Sequence, residues 1–218
     1  MHRYPIKAAA QLAQASYKGQ AHRSLAPRIA NSLDENDVQA HFLDNRILVI
    51  PGSNSVMDYL KFNLRILNIG GKKYRIDDPS TAAGHSGTRW HQGFLAHAKT
   101  IWDWMEAENQ RPIYIIGHSL GAAATQILCK SYRVPGIGFA CPRPRKSRGG
   151  MHQNDLCLCI NRNDDRVCDL PGTFHHLGHV ATCIARRSGF GMEHSMKFYR
   201  KSVEQAQATG QLPVNWPR

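Results

Sequence analysis

Long apolar runs are missing from this 218-residue sequence, and no stretch is apolar over the roughly 20 residues that a bilayer-spanning helix needs. The first ten residues also lack the uninterrupted apolar core of a secretory signal. Internal repeats and low-complexity tracts are absent, which argues against a solenoid or a disordered chain. We therefore expect one domain over residues 1–218 and, in the absence of a leader, a cytoplasmic protein.

The Cys-x-x-Cys motif is missing as well, because no two of the six cysteines have that spacing. Without a leader, we expect all six to be reduced. Cys157 and Cys159 alternate with Leu156, Leu158 and Ile160, which predicts that both thiols lie on one face of a strand. One group of soft ligands remains, but its spacing matches no common zinc pattern, so we expect no metal: Cys168, His175, His176, His179 and Cys183.

Acidic residues are few, because 16 Asp and Glu stand against 28 Lys and Arg, for a formal net charge of +12. Such an excess keeps a protein soluble and also attracts it to anionic surfaces. The basic residues are scattered except for one cluster between Arg143 and Arg148, which has no aromatic interleaving and no nucleic-acid motif beside it. We therefore expect no nucleic-acid partner, and an anionic membrane surface is a candidate partner.

Strand and helix patterns alternate through the middle of the chain. Apolar, β-forming segments predict strands at 38–42, 46–50, 72–76, 134–141 and 156–161, and two short strands within 174–184. Helical periodicity predicts helices at 5–18, 53–65, 91–109 and 191–208, with loops at 19–37 and 77–88. This alternation is typical of an α/β fold with a mostly parallel central sheet flanked by helices.

The rest of the chain is organised around the stretch from Arg111 to Leu128. Residues 114–116 are β-formers without charge, and residues 122–128 are a run of small and apolar helix formers. Between them lies Gly117-His118-Ser119-Leu120-Gly121, the Gly-x-Ser-x-Gly pattern of a nucleophile elbow, in which the glycines leave space for a sharp strand-to-helix turn. The alternative interpretation is a serine in an ordinary β–α turn.

A nucleophilic serine needs a base to take its proton and a third group to orient that base. In hydrolase-like α/β folds these partners follow the serine in the order acid, then histidine. Three acids follow the strand that ends near residue 161: Asp164, Asp165 and Asp169. Four histidines come later: His175, His176, His179 and His194. Chain order alone leaves both choices open.

Five motifs in the same order together resemble the class 3 (fungal-type) lipases of the α/β-hydrolase fold. The resemblance covers roughly residues 45 to 200. Its motifs are Ile50-Pro51-Gly52-Ser53, Trp90-His91-Gln92-Gly93-Phe94, Ile116-Gly117-His118-Ser119-Leu120-Gly121, Gly138-Phe139-Ala140-Cys141-Pro142-Arg143 and Asn163 to Pro171. Two departures are Cys168, where the family has a proline, and Ala122, where it has a further glycine after the elbow.

The resemblance implies a role for individual residues. It implies Ser119 as the nucleophile, Asp165 as the acid and His194 as the base, because Glu193-His194 and Tyr199 resemble the family's terminal motif. His175 and His176 then match a motif of the family in which the histidine has a structural role and not a catalytic one. The oxyanion hole would use the backbone N–H groups of Leu120 and Ser53.

These assignments predict a serine hydrolase that cleaves carboxylic esters of lipids through an acyl-enzyme, without a metal or cofactor. The amphipathic segment 53–65 would be a cap over the substrate or a plain surface helix. Two alternatives are a phospholipase that acts on anionic membranes and a catalytically silent lipid-binding protein of the same fold. The sequence makes no prediction about oligomeric state.

Overall fold

The computed structural model describes residues 2–35, 37–52, 66–69, 71–85, 87–146, 156–185 and 194–217. Within these ranges the chain forms the helices α1 (Ile6–Ala15), α2 (Gln92–Ala107), α3 (Leu120–Tyr132) and α4 (Met196–Ala208). None of these helices combines the length and apolar character needed to cross a membrane. The predicted helix at 53–65 lies outside the described residues.

The strands are numbered in chain order. They are β1 (Tyr4–Pro5), β2 (Ile29–Glu35), β3 (Val38–Leu43), β4 (Ile47–Ile50), β5 (Ile66–Ile69), β6 (Lys72–Arg75), β7 (Thr81–Ala83), β8 (Arg89–His91), β9 (Tyr114–His118), β10 (Gly136–Phe139), β11 (Cys157–Arg162), β12 (His179–Cys183) and β13 (Asn215–Trp216).

Seven of these strands form the central sheet, in the order β12-β11-β10-β9-β4-β3-β2. Strands β4 and β9 to β12 pair in parallel, while β3 and β2 extend one side as antiparallel strands. In register, Ile50 pairs with Gly117, and Phe139 pairs with His118, so β4, β9 and β10 end side by side. The predicted α/β-hydrolase-like architecture, with the Gly-x-Ser-x-Gly turn after a central strand, is confirmed.

Helices cover both faces of the sheet, and the side chains of each strand alternate between two cores. On β9, Ile115 packs in the core shared with α2 and α3, whereas Tyr114 and Ile116 pack in the core shared with α1 and α4. On β11, Cys157 and Cys159 lie in the first core, opposite Leu158 and Ile160 in the second, as the alternation predicted. All six cysteines are free and buried.

Three predictions of local structure were wrong. The predicted loop at 19–37 contains β2, an edge strand whose sequence, Ile-Ala-Asn-Ser-Leu-Asp-Glu, is mostly polar because much of it is exposed. The predicted loop at 77–88 contains β7, which pairs with β8. The segment 174–184 forms one strand, β12, rather than two.

Candidate active site

Ser119 lies at the sharp turn between β9 and α3. Its backbone has φ 57° and ψ −121°, a left-handed conformation that costs a non-glycine residue about 1–3 kcal/mol. Hydrogen bonds hold this conformation: the Ser119 N–H donates to Phe139 O at 2.9 Å, and its carbonyl accepts from the N–H groups of Ala122 and Ala123 at 2.9 and 3.1 Å. The turn therefore presents the Ser119 side chain beyond the ends of the parallel strands.

The two glycines that flank the serine are required by close packing. A Cβ on Gly117 would lie 2.3 Å from Thr125 Oγ1 and 2.4 Å from Gly121 O. A Cβ on Gly121 would lie 2.2 Å from Ile50 O, within the backbone at the end of β4. Because neither glycine leaves room for a side chain, the spacing of the motif follows from the approach of α3 to β4 and β9.

Three of the predicted site residues meet at this turn. His194 Nε2 lies 2.7 Å from Ser119 Oγ, and His194 Nδ1 lies 2.8 Å from Asp165 Oδ2. All three side chains are buried. Because a carboxylate can only accept, Nδ1 carries the proton, and Nε2 is left as the acceptor for the Ser119 hydroxyl. The arrangement can move a proton from the serine oxygen to the imidazole.

Asp165 is held as a carboxylate by several donors. Oδ2 accepts a hydrogen bond from the Tyr199 hydroxyl at 2.8 Å, and Oδ1 accepts one from the Val167 N–H at 3.1 Å. Burial raises the pKa of Asp165, but the charge of His194 and the hydrogen bonds from His194, Tyr199 and Val167 outweigh it. The net pKa of Asp165 is lowered, so this buried carboxyl stays ionised and can stabilise an imidazolium.

The acids that chain order left open are engaged elsewhere. Asp164 pairs with Arg162, with Nη2 and Oδ2 2.7 Å apart. Asp169 is exposed and pairs with Arg143, with Oδ1 and Nη2 2.5 Å apart. Neither carboxylate has a bond to His194 comparable to that of Asp165.

The alternative histidines also have other surroundings. His176 Nε2 bonds to Cys141 O at 2.8 Å, His175 exchanges backbone hydrogen bonds with Arg145, and His179 lies against Trp216. Among the described residues, no group of three His, Cys, Asp or Glu side chains could hold a metal ion. The imidazole that reaches Ser119 is that of His194.

Of the two predicted oxyanion donors, Leu120 lies within the described residues and Ser53 does not. Leu120 is the first residue of α3, where a backbone N–H has no acceptor within the helix and can bind an anion. Ser53 lies outside the described residues, so its role stays a prediction. Gly52, the residue before it, passes close to Ser119, because a Cβ on Gly52 would lie 2.8 Å from Ser119 Cβ.

Sequence reasoning missed one residue beside this site, Tyr17. It follows α1, and its hydroxyl contacts both His118 Nδ1 and the Gly52 N–H. No local motif marks Tyr17, because it lies 101 positions from its histidine partner. Tyr199, which the resemblance named only as part of a motif, is the hydrogen-bond partner of Asp165.

No family model and no curated protein matches the chain. Two solved structures of LIP2 lipase from Yarrowia lipolytica do match its fold. The nonglycosylated form has a TM-score of 0.53 and 13% identity over 84% of this chain and 82% of that chain. The other, a crystal structure of the lipase, has a TM-score of 0.51 and 14% identity over 81% of this chain and 77% of that chain. At such low identity the similarity concerns the fold alone.

Proposed function

We propose that this chain is a serine hydrolase that cleaves carboxylic esters of lipids through an acyl-enzyme. The observation that carries the proposal is the unbroken series Ser119 Oγ, His194 Nε2, His194 Nδ1 and Asp165 Oδ2, joined at 2.7 and 2.8 Å on a strained elbow. A serine activated by an oriented imidazole is the arrangement that acyl transfer needs.

The reaction would proceed in two halves. His194 Nε2 takes the proton as Ser119 Oγ attacks the ester carbonyl, and Asp165 stabilises the imidazolium. The Leu120 N–H, with Ser53 as the second predicted donor, stabilises the negative oxygen. His194 then protonates the leaving alcohol, the acyl-serine forms, and a water activated by the same imidazole releases the acid.

The choice of lipid esters rests on two supports. The solved structures with this fold include Yarrowia lipases, and the segment 53–65, which follows Gly52 beside the nucleophile, is amphipathic in sequence. An assay of this proposal therefore varies both the acyl group and the head group.

One observation favours the second candidate, a phospholipase that acts on anionic membranes. A cavity of about 710 Å³ lies between α1, the segment that follows it and α4, and it reaches His118 and Ser195, the neighbours of the nucleophile and the base. Its described lining contains no acidic side chain and four cationic ones: Lys18, Arg28, Lys197 and Arg200. A cationic cavity beside the site would favour a substrate with an anionic phosphate group.

The first test is hydrolysis of p-nitrophenyl acetate, butyrate, octanoate and palmitate, beside vesicles of phosphatidylcholine or phosphatidylglycerol. Ser119→Ala and His194→Ala should lower ester turnover by at least about 10⁴-fold. Ser131→Ala is the matched control, since this serine on α3 bonds to Ile127 O and should leave turnover unchanged.

The same panel separates the alternatives. Turnover confined to phosphatidylglycerol vesicles, falling steeply with salt and abolished by Arg28→Glu, would favour the phospholipase. A fluorophosphonate probe should label wild type and not Ser119→Ala. A wild-type protein that neither hydrolyses any substrate nor takes the label would instead be a silent binder, and the proposal would be wrong.

A further inference from the structure

His118 is a buried histidine that the proposed reaction does not use. It directly precedes Ser119, yet its ring is bonded away from the serine hydroxyl: Nε2 lies 2.8 Å from His194 O and Nδ1 lies 2.5 Å from the Tyr17 hydroxyl. Since a carbonyl can only accept, Nε2 carries the proton and Nδ1 accepts from Tyr17. Burial lowers the pKa of His118 to about 3, so the ring is neutral near neutral pH.

Tyr17 extends this pair into a chain of three hydrogen bonds. Its hydroxyl oxygen accepts from the Gly52 N–H at 3.0 Å while its proton goes to His118. Burial raises the pKa of Tyr17, so the phenol keeps that proton. The three hydrogen bonds therefore all donate in the same direction. The Gly52 N–H donates to Tyr17, the Tyr17 O–H donates to His118 Nδ1, and the His118 Nε2–H donates to the His194 carbonyl.

The two ends of this chain are parts of the site. Gly52 is the residue before the predicted oxyanion donor Ser53, and His194 is the predicted base. His194 precedes α4 instead of lying within it, so the helix does not fix its backbone. The bond from His118 to its carbonyl fixes that backbone relative to the elbow, because His118 is itself the last residue of β9.

We propose that Tyr17 and His118 are positioning residues, which set the distance between the oxyanion segment at Gly52 and the base His194 on either side of Ser119. The inference rests on the proposed function. Neither side chain exchanges a proton with substrate. They hold a peptide N–H and a carbonyl in place, and displacement of a catalytic group by about 1 Å costs on the order of 100-fold in rate.

The test is Tyr17→Phe, which keeps the ring and removes the hydroxyl. Its matched control is Tyr114→Phe, because the Tyr114 hydroxyl is also buried and bonds to a backbone carbonyl, Trp216 O, at 2.9 Å. With p-nitrophenyl butyrate, kcat of Tyr17→Phe should fall about 10- to 100-fold while KM stays within about twofold. Tyr114→Phe should keep the wild-type kcat, while its melting temperature should fall by about as much as that of Tyr17→Phe. Equal kcat in the two variants would overturn the proposal.

A pair of substitutions at position 118 tests the bond to His194. The amide nitrogen of His118→Gln can replace Nε2 as a donor, whereas His118→Leu fills similar space without a donor. His118→Gln should therefore recover kcat relative to His118→Leu at comparable folding stability. Equal kcat in these two variants would exclude the donor role of Nε2.

An NMR measurement keeps this inference separate from the proposed function. The proton between His194 Nδ1 and Asp165 should give a downfield resonance in wild type, shifted or broadened in Tyr17→Phe and unchanged in Tyr114→Phe. This readout does not need turnover. If wild type is inactive but the resonance shifts in Tyr17→Phe, positioning is supported and the hydrolase proposal fails. If wild type is active but the resonance is unchanged in Tyr17→Phe, the hydrolase proposal stands and the positioning proposal fails.

Discussion

Asp164 and Asp165 are adjacent carboxylates whose surroundings differ sharply. Asp165 is buried and accepts from His194, Tyr199 and the Val167 N–H. Asp164 is partly exposed and forms two hydrogen bonds with the Arg162 guanidinium, at 3.0 and 2.7 Å. The first carboxylate therefore orients an imidazole, and the second fixes an arginine.

Replacing these two acids should separate catalysis from stability. Asp165→Asn should lower kcat by about 10⁴-fold, because an amide can hold the imidazole in the wrong tautomer and cannot stabilise its charged form. Asp164→Asn, the control, should keep kcat near the wild-type value and lower the melting temperature, since it removes the negative charge that faces the Arg162 guanidinium. Steady-state kinetics and thermal unfolding of both variants check this, and equal losses of kcat would contradict it.

The choice among individual residues could be predicted only in part from the sequence. Chain order reduced the acid to three candidates and the base to four, and the motif resemblance selected Asp165 and His194, the pair that lies against Ser119. Tyr17 could not be predicted, because its partners are at positions 52 and 118 and a long-range contact leaves no local pattern. The contact forms because the end of α1 lies near the ends of β4 and β9 in the folded protein.

At the scale of elements, the site depends on how closely α3 approaches β4. Gly121, in the first turn of α3, lies against the carbonyls of Ile50 and Pro51. That approach places the first turn of α3, which begins at Leu120, against the end of β4. The glycine is therefore a condition for the predicted oxyanion region as well as for packing.

Gly121→Ala should disturb both stability and activity. Its Cβ would lie 2.2 Å from Ile50 O and 2.6 Å from Pro51 O, so backbone must move, and we expect a loss of about 1–3 kcal/mol in unfolding free energy. We expect kcat to fall with it. Gly172→Ala is the control, because nothing lies within 4 Å of its added Cβ. Urea titration and kinetics measure both effects, and a wild-type-like Gly121→Ala protein would refute this view of the packing.

The elements that were predicted correctly are those with a strong apolar pattern. Strands β4, β9 and β11 are buried along their whole length, and apolar residues fill β4, residues 114–116 of β9 and residues 157–160 of β11. The edge strand β2 has a single buried residue, Leu33, so its sequence resembles a loop. Backbone pairing with the neighbouring strand β3 stabilises β2, and main-chain pairing is not encoded in side-chain periodicity.

At the scale of the whole molecule, buried histidines make stability depend on pH. Burial lowers the pKa of five histidines below the usual 6.5: His41, His91, His97, His118 and His176. Between 6.5 and these lower values the unfolded chain binds more protons than the folded one. Their contribution is therefore complete above about pH 6.5 and is lost as the pH falls towards their folded pKa values.

We expect the free energy of unfolding to decrease steadily between pH 7 and pH 5. His97 is the clearest single case, because burial lowers its pKa to about 4 and its Nδ1 has no hydrogen-bond partner among the described residues. At pH 5 it should account for about 2 kcal/mol of the loss. Urea unfolding of wild type and His97→Leu across this range checks it, since the variant should show a shallower decline. Parallel curves would rule out His97 as a contributor.

The backbone angle at position 119 has a consequence for the stability of the protein. A glycine there would relax the turn, so Ser119→Gly should unfold at a higher denaturant concentration than Ser119→Ala, which lacks the hydroxyl too but keeps the strained angle. The protein therefore gives up some durability to hold a hydroxyl oxygen at the tip of this turn.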